Sequence, residues 1–278
     1  MTWNRISIAF AVILSMAGAV WALDVADMTI EWTPEGKQLA AERAELPARD
    51  EMVLIPAGWF LMGSDKKTDR LAYLPELPQR KVYLDAYEID KFEVTTVQFL
   101  KFVLATNRSP LIDWRYDGGN FQDTMTAHPV MHVSWFDADG YCKWAGKRLP
   151  TEADWEKAAR GTDGRKYPWG EQWDASRANS TDSKLGKTVA VGSYPSGASP
   201  YGAQDMAGNV WEWVADWYGY YQRSPERNPQ GPDSGTFKVL RGGSWNGIPF
   251  ALRTAIRSNG TPVSRDYYVG FRCARGSQ

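Results

Sequence analysis

Asp205-Met-Ala-Gly-Asn-Val-Trp-Glu212 concentrates hard oxygen donors in one short stretch. Asp205 and Glu212 bring carboxylates, Asn209 an amide, and Gly208 and Val210 backbone carbonyls. Calcium takes roughly six to eight such oxygens, so the stretch reads either as a cation loop or as a turn that Asp205 and Asn209 cap. His128 and His132 are the only histidines, and they stand at i,i+4. Pro129 follows the first at once and Val130-Met-His-Val133 reads as extended, so the pair is read as structural or hydrogen-bonded rather than as a metal pair. The chain has no phosphate-binding glycine loop, no Gly-x-Ser-x-Gly elbow and no zinc-protease motif. Ser244 has no histidine beside it in sequence, which argues against a serine nucleophile.

The elements that must hold these groups come from a chain of 278 residues, long enough for one large domain or two small ones. A formal net charge of −1 argues against nucleic acid or a membrane surface as partner, since both select clustered Lys and Arg. Fourteen Trp residues are read mainly as core or near-core packing. Residues 1–22 read as a signal peptide: Arg5, an apolar run from Ile6 to Val20, and a small-residue exit at Ala22. The run is short for a spanning helix, an uncleaved anchor being the alternative, and no membrane span is expected in the mature chain. The chain is therefore expected to be exported, periplasmic or secreted. In that setting an even pair of cysteines, Cys142 and Cys273, reads as a disulfide.

Residues 23–50 read as a leader rich in Ala, Glu and Arg that either lies over the domain or stays mobile, and the domain proper runs over 51–275. Met52–Gly58 reads as a strand into a turn that Phe60–Gly63 continues, and Arg80–Ile89 as one period-two strand. Thr95 with Gln98 opens a helix by a capping box, and Ser134 caps a second that stops at Gly146. Thr151 with Asp154 opens a third, with Trp155, Ala158 and Ala159 as its buried stripe, Glu156 and Arg160 as an i,i+4 pair, and Gly161 as its end. Beyond Gly161 the period fades for over a hundred residues rich in Gly, Pro, Asn and Trp. A stretch so aromatic is not disordered, and its rigidity is expected to come from bound metal and a disulfide.

A set of motifs in fixed order is more specific. It includes Val53-Leu-Ile-Pro-Ala-Gly-Trp-Phe-Leu-Met-Gly63, Glu93-Val-Thr95, Gly146-Lys-Arg-Leu-Pro-Thr-Glu-Ala-Asp-Trp-Glu156, Tyr167-Pro-Trp-Gly170, Asp205–Trp213, Arg241-Gly-Gly-Ser-Trp245 and Gly270-Phe-Arg-Cys273. The set resembles the formylglycine-generating enzyme, or sulfatase-modifying factor, family. The resemblance implies an irregular α+β fold like that of C-type lectins, structural calcium, and a Cys142–Cys273 bridge. It implies calcium ligands at Asp205, Gly208, Val210 and Glu212, with Asn209 close by. A second calcium site is implied at Asn179 and Ser180, with Asp182 as the natural carboxylate, and Glu76 matches a further acidic position.

The resemblance also exposes an absence. The founding enzymes bind copper through two cysteines shortly after Gly-Gly-Ser, and soft thiolates are what select Cu(I). Here Gly247 stands at the first position, and Ala251 and Leu252 stand near the second. No copper and no formylglycine generation are expected. The iron-dependent members use a histidine-rich domain that this chain lacks. The family also includes cysteine-free exported members such as PvdO, of pyoverdine maturation. By that comparison the chain is a maturation factor or divergent oxidoreductase acting on an exported protein or a small molecule. Its groove would be lined by Ser244, Trp245, Asn246, Arg253 and Arg257. The other reading is a non-catalytic lectin-like binding module, with Trp217-Tyr-Gly-Tyr-Tyr221 as an aromatic patch.

Overall fold

The computed structural model describes residues 34–46, 48–109, 125–221 and 226–276; the signal peptide reading, at 1–22, lies outside them. Helix α1 (Pro34–Ala44) leads into β1 (Met52–Ile55), β2 (Gly58–Met62), β3 (Arg80–Leu84) and β4 (Tyr87–Asp90). Helices α2 (Thr96–Ala105), α3 (Trp135–Trp144) and α4 (Glu152–Arg160) follow. After a long irregular stretch come β5 (Trp211–Trp217), β6 (Glu226–Arg227), β7 (Lys238–Arg241), β8 (Ser258–Gly260), β9 (Val269–Phe271) and β10 (Ala274–Gly276). The strands form three small sheets, ordered β1-β4-β10, β2-β3-β6 and β8-β7-β5-β9. This is the irregular α+β, lectin-like architecture. Among the described residues no helix is long and apolar enough to cross a membrane.

The helix starts follow from their caps. Thr95 with Gln98, Ser134 with Asp137 and Thr151 with Asp154 each form a reciprocal capping box, which satisfies backbone donors that a helix start leaves open. Gly161 ends α4 at φ 72, a left-handed conformation that favours glycine. The segment 80–89 is two strands, not one. Asp85 at the break is held by Asn228, which accepts its N–H and donates to its carboxylate. The kink sends β3 and β4 into different sheets. Helix α1 packs on α2, with Ala40 fully buried in the same core, so the segment read as a leader contributes to the domain.

Two apolar cores meet along β5 and β7. Phe99, Phe102, Tyr141, Trp213 and Phe271 anchor the core between α2, α3 and the four-stranded sheet. Ile55, Phe60, Val82, Ile89, Trp155 and Val214 anchor the core around α4. Cys142 in α3 and Cys273, between β9 and β10, are bridged across 131 residues of sequence, and both are fully buried.

Helix α4 is buried along its whole length, charged residues included. Glu156 accepts from Gly63 N–H at 2.7 Å, Arg160 at 2.7 Å and Arg241 at 2.6 Å. Glu152 accepts from Arg257 at 2.6 and 2.8 Å, Arg241 at 3.1 Å and the Tyr221 hydroxyl at 3.0 Å. Burial pushes the Glu152 carboxyl up, but Arg257 and Arg241 outweigh it and hold it below its ordinary value.

Two stability predictions follow from this frame. Arg241→Met leaves two buried carboxylates short of a partner and is expected to lower unfolding stability by about 3–5 kcal/mol in chemical denaturation. A loss under about 1 kcal/mol, the range of surface pairs, would show that the network is not a structural tie. Removing the bridge by Cys142→Ala with Cys273→Ala is expected to cost about 4–5 kcal/mol on chain entropy alone. Two alkylatable thiols in the native protein would contradict the pairing.

Candidate functional site

The Gly242-Gly-Ser turn leaves the end of β7 with φ 96 and 75 at its two glycines. A Cβ on Gly243 would stand 2.7 Å from the Ala251 carbonyl oxygen, so this crossing admits no side chain. The turn brings residue 247 against residue 252: a Cβ on Gly247 would stand 2.6 Å from Leu252 Cδ1. Leu252, rather than Ala251, therefore faces position 247. It is fully buried, packed with Ala178 and Ala207, and Trp169, Trp173 and Ala251 cover the cluster. A glycine and a leucine provide no donor atom, and the leucine occupies the space between the two positions. These residues do not fit a copper centre.

The five residues expected to line one groove do not share one. Ser244 is buried, and its hydroxyl donates to Asn246 Oδ1 at 2.7 Å, with Asn246 itself exposed. Trp245 is half-buried, its ring 6.0 Å from that of Tyr267. Tyr267 in turn lies 6.3 Å from the His132 ring. Arg253 is sealed elsewhere, donating to both oxygens of Glu76 at 2.6 and 3.0 Å and to Asp69 at 3.0 Å. Arg257 is spent on Glu152 and on the Pro75 and Gly219 carbonyls. The two histidines act separately: His128 Nδ1 meets the Thr188 hydroxyl at 3.0 Å, and burial with Lys187 nearby holds its pKa below the ordinary value.

The Asp205–Glu212 loop is bent by positive φ at Asp205 (58), Gly208 (90) and Asn209 (62). Glu212, at the start of β5, is fully buried and bidentate to Arg272 at 2.7 and 2.8 Å, and it accepts from Trp155 Nε1 at 2.9 Å. Asp205 accepts from Gly192 N–H at 2.6 Å. Glu93, which the sequence reading did not place here, joins them: it accepts from Asn209 Nδ2 at 2.7 Å and Val210 N–H at 3.2 Å. Asn209 is a strut, since its Oδ1 already accepts from Val189 N–H and Asn179 Nδ2. Burial first, then repulsion from Asp205 and Glu212, raises Glu93 well above the carboxylate range. Burial pushes Asp205 up to about 6.

Whether a cation fits here is a question of charge. Glu93, Asp205 and Glu212 sense one another and the guanidinium of Arg272, a buried deficit of positive charge. Gln204 Oε1, beside Gly192, is buried with no hydrogen-bond partner. A divalent cation drawing on carboxylates and carbonyls would meet both needs. Among the described residues no three Asp, Glu, His or Cys side chains converge to hold a metal by themselves, so backbone oxygens would have to contribute.

At the second expected cation site, Asn179 Oδ1 and the Ser180 carbonyl converge on the Ser183 hydroxyl, at 2.9 and 2.7 Å. That hydroxyl has one proton for two acceptors. The Asp182 carboxylate instead accepts from Trp173 Nε1 at 2.8 Å. The converging oxygens are all neutral, a weaker donor set for calcium than the first.

Known proteins resemble this chain in sequence and fold. A sulfatase-modifying factor enzyme 1-like domain profile covers residues 37–277. The chain is 34% identical to the formylglycine-generating enzyme of Bos taurus, over 81% of this chain and 74% of that protein. It is 40% identical to the serine/threonine-protein kinase pkn1 of Chlamydia caviae over 83% of its own length, but spans only 38% of that protein. Among solved structures it is similar to PvdO from Pseudomonas aeruginosa, with a TM-score of 0.67 and 27% identity, covering 81% of this chain and 93% of that one. The chain belongs to the sulfatase-modifying factor, or formylglycine-generating enzyme, family.

Proposed function

We propose that this protein is an exported maturation factor or divergent oxidoreductase of the family, PvdO-like, acting on a periplasmic substrate without copper. The observation that carries this reading is Leu252, which fills the space facing position 247 while the Gly-Gly-Ser turn, the Cys142–Cys273 bridge and the surrounding frame are kept. Likeness to PvdO over 93% of that chain supports it. The half-exposed rings of Trp245 and Tyr267 beside the turn are the face offered to a substrate. A second reading, a non-catalytic lectin-like binding module, draws on the sealed state of Arg253 and Arg257 and on a Ser244 hydroxyl spent on Asn246. The two separate in a strain lacking the gene. An exported molecule whose mass changes, and is restored by purified protein, supports maturation. A lost protein contact with no covalent change supports the binding module.

We also propose calcium at the Asp205, Gly208, Val210, Glu212 loop, with Asn209 as its strut and Glu93 beside it. A weaker site is proposed at Asn179, Ser180 and Asp182, where the Ser183 hydroxyl bridges Asn179 Oδ1 and the Ser180 carbonyl. The ion's contribution is structural: it offsets carboxylate charge in a segment with little regular backbone pairing.

Purified mature protein is expected not to convert the cysteine of a sulfatase-type peptide to formylglycine, even with copper supplied. Mass spectrometry after aerobic incubation would read loss of thiol and gain of aldehyde. Turnover above a metal-free blank would overturn the copper-independent reading. Gly247→Cys alone is expected to clash with Leu252, whereas Gly247→Cys with Leu252→Cys removes the clash and is the variant expected to gain copper binding.

Calcium is expected to raise the melting midpoint and a chelator to lower it. The gain is about 2.7 kcal/mol at a hundredfold excess over Kd. Asp205→Asn should abolish the response. An unchanged midpoint in chelator, with no metal by elemental analysis, would remove the assignment.

A further inference from the structure

At the end of β5 away from the Gly-Gly-Ser turn lies a cleft of about 350 Å³ that the proposed function does not use. Asp216 and Trp217 form its floor, Arg80 and Arg257 one wall, and the segment Pro229–Pro232 the other. Of the residues expected in a groove only Arg257 reaches it; Ser244, Trp245, Asn246 and Arg253 do not.

The cleft is built, not left over. Both guanidiniums lie over the ring of Tyr221, Arg80 at 3.7 Å and Arg257 at 4.0 Å from its centroid. That stacking holds both planar cations against one ring, which lies between them. Arg257 is fully engaged by Glu152 and two carbonyls. Arg80 is not: its Nε donates to Glu226 at 3.1 Å, while Nη1 is buried without a hydrogen-bond partner. A buried guanidinium N–H lacking an acceptor is costly, and a planar two-oxygen anion is the group that matches its fork. On the floor, Asp216 gives one oxygen to the Glu152 N–H at 2.7 Å. Burial first and Glu152 second push its carboxyl up to about 7, so near neutral pH it adds less negative charge to the wall than an ordinary aspartate. Trp217 and the exposed Tyr220 add flat apolar surface to the lining. The volume suits one molecule of monosaccharide or amino-acid size and excludes a folded partner.

We propose that this cleft is a binding site for a small organic carboxylate, held by Arg80 and packed on the aromatic wall. The carboxylate can belong to a sugar acid or to an amino-acid derivative, because the same guanidinium fork takes either.

The full mature chain is titrated calorimetrically with D-glucuronate and with N-acetyl-L-aspartate, against the neutral partners D-glucose and N-acetyl-L-asparagine. Saturable binding of a carboxylate, at least about tenfold tighter than its neutral partner, is expected. Response to glucuronate alone assigns a sugar acid, and response to acetylaspartate alone an amino-acid derivative. Arg80→Gln is expected to weaken binding at least about tenfold. Because Arg80 also holds Glu226, the exposed Gln230→Glu serves as a second variant: it adds like charge at the rim, leaves the circular dichroism spectrum unchanged, and should weaken binding as well. No saturable heat with either carboxylate, equal affinity for the neutral partners, or binding unchanged in both variants would overturn the assignment. The formylglycine assay and the copper titration address a different part of the molecule, so their outcomes do not bear on this one.

Discussion

Everything in this fold is arranged around the need to bury α4 with its charges on. Glu156 is removed from water entirely and Glu152 nearly so, a cost of several kcal/mol per ion that only close, multiple partners offset. Those partners come from far along the chain: Gly63 from the end of β2, Arg241 from β7, Arg257 from the segment before β8 and Tyr221 from beyond β5. No single sheet brings these elements together, since β2 and β7 belong to different sheets. The carboxylates of one short helix therefore do what a continuous sheet does in more regular folds. Such a network adds little net stability over an apolar core but penalises any other arrangement strongly, which suits a chain whose backbone has few regular ladders.

The same economy extends outward. Arg253 with Glu76 and Asp69, and Arg272 with Glu212, are further buried pairs that tie distant segments. Indole N–H groups play a neutral version of the part: Trp155 reaches Glu212, Trp213 the Val133 carbonyl and Trp135 the Val214 carbonyl. The abundance of tryptophan thus serves packing and hydrogen bonding together, because a large ring fills irregular gaps and carries one donor to a fixed place. Around Glu93, Asp205 and Glu212 the balance tips toward negative charge that the neighbouring guanidinium of Arg272 does not fully offset. That is the place where a bound cation has most to contribute to the fold.

What the sequence disclosed was whatever is written locally. The capping boxes at Thr95, Ser134 and Thr151, the Glu156–Arg160 pair and the Gly161 stop each depend on residues within a few positions. The motif order disclosed the family, the fold and the absence of copper donors. What stayed hidden depends on pairing across the chain. Arg253 reads as a groove residue until Glu76, 177 positions away, closes on it. Asp182 reads as a ligand from sequence alone, which gives no sign that its carboxylate accepts from Trp173 or that Ser183 stands by Asn179. Glu93 sits in a recognised motif, but nothing in its spacing reveals that it faces Asn209, 116 positions on. The break at Asp85 depends in the same way on Asn228, so the alternating pattern of 80–89 carried no sign of it.

The relation between frame and chemistry in this chain is fixed by one side chain. A metal seat in a preorganised turn requires close backbone approach, which Gly243 still provides against the Ala251 carbonyl. It also requires an empty space between donors. Leu252 fills that space and makes it part of a small apolar core with Ala178 and Ala207. Loss of the donors without filling would have left a cavity, and a cavity in a close-packed interior is destabilising. Leu252 is a packing position, and the turn beside it keeps the positive φ of Gly242 and Gly243. Leu252 thus makes the Gly242-Gly243 turn part of a packed frame, with the Trp245–Tyr267 contact beside the turn and the cleft lined by Arg80 and Arg257 at the far end of β5.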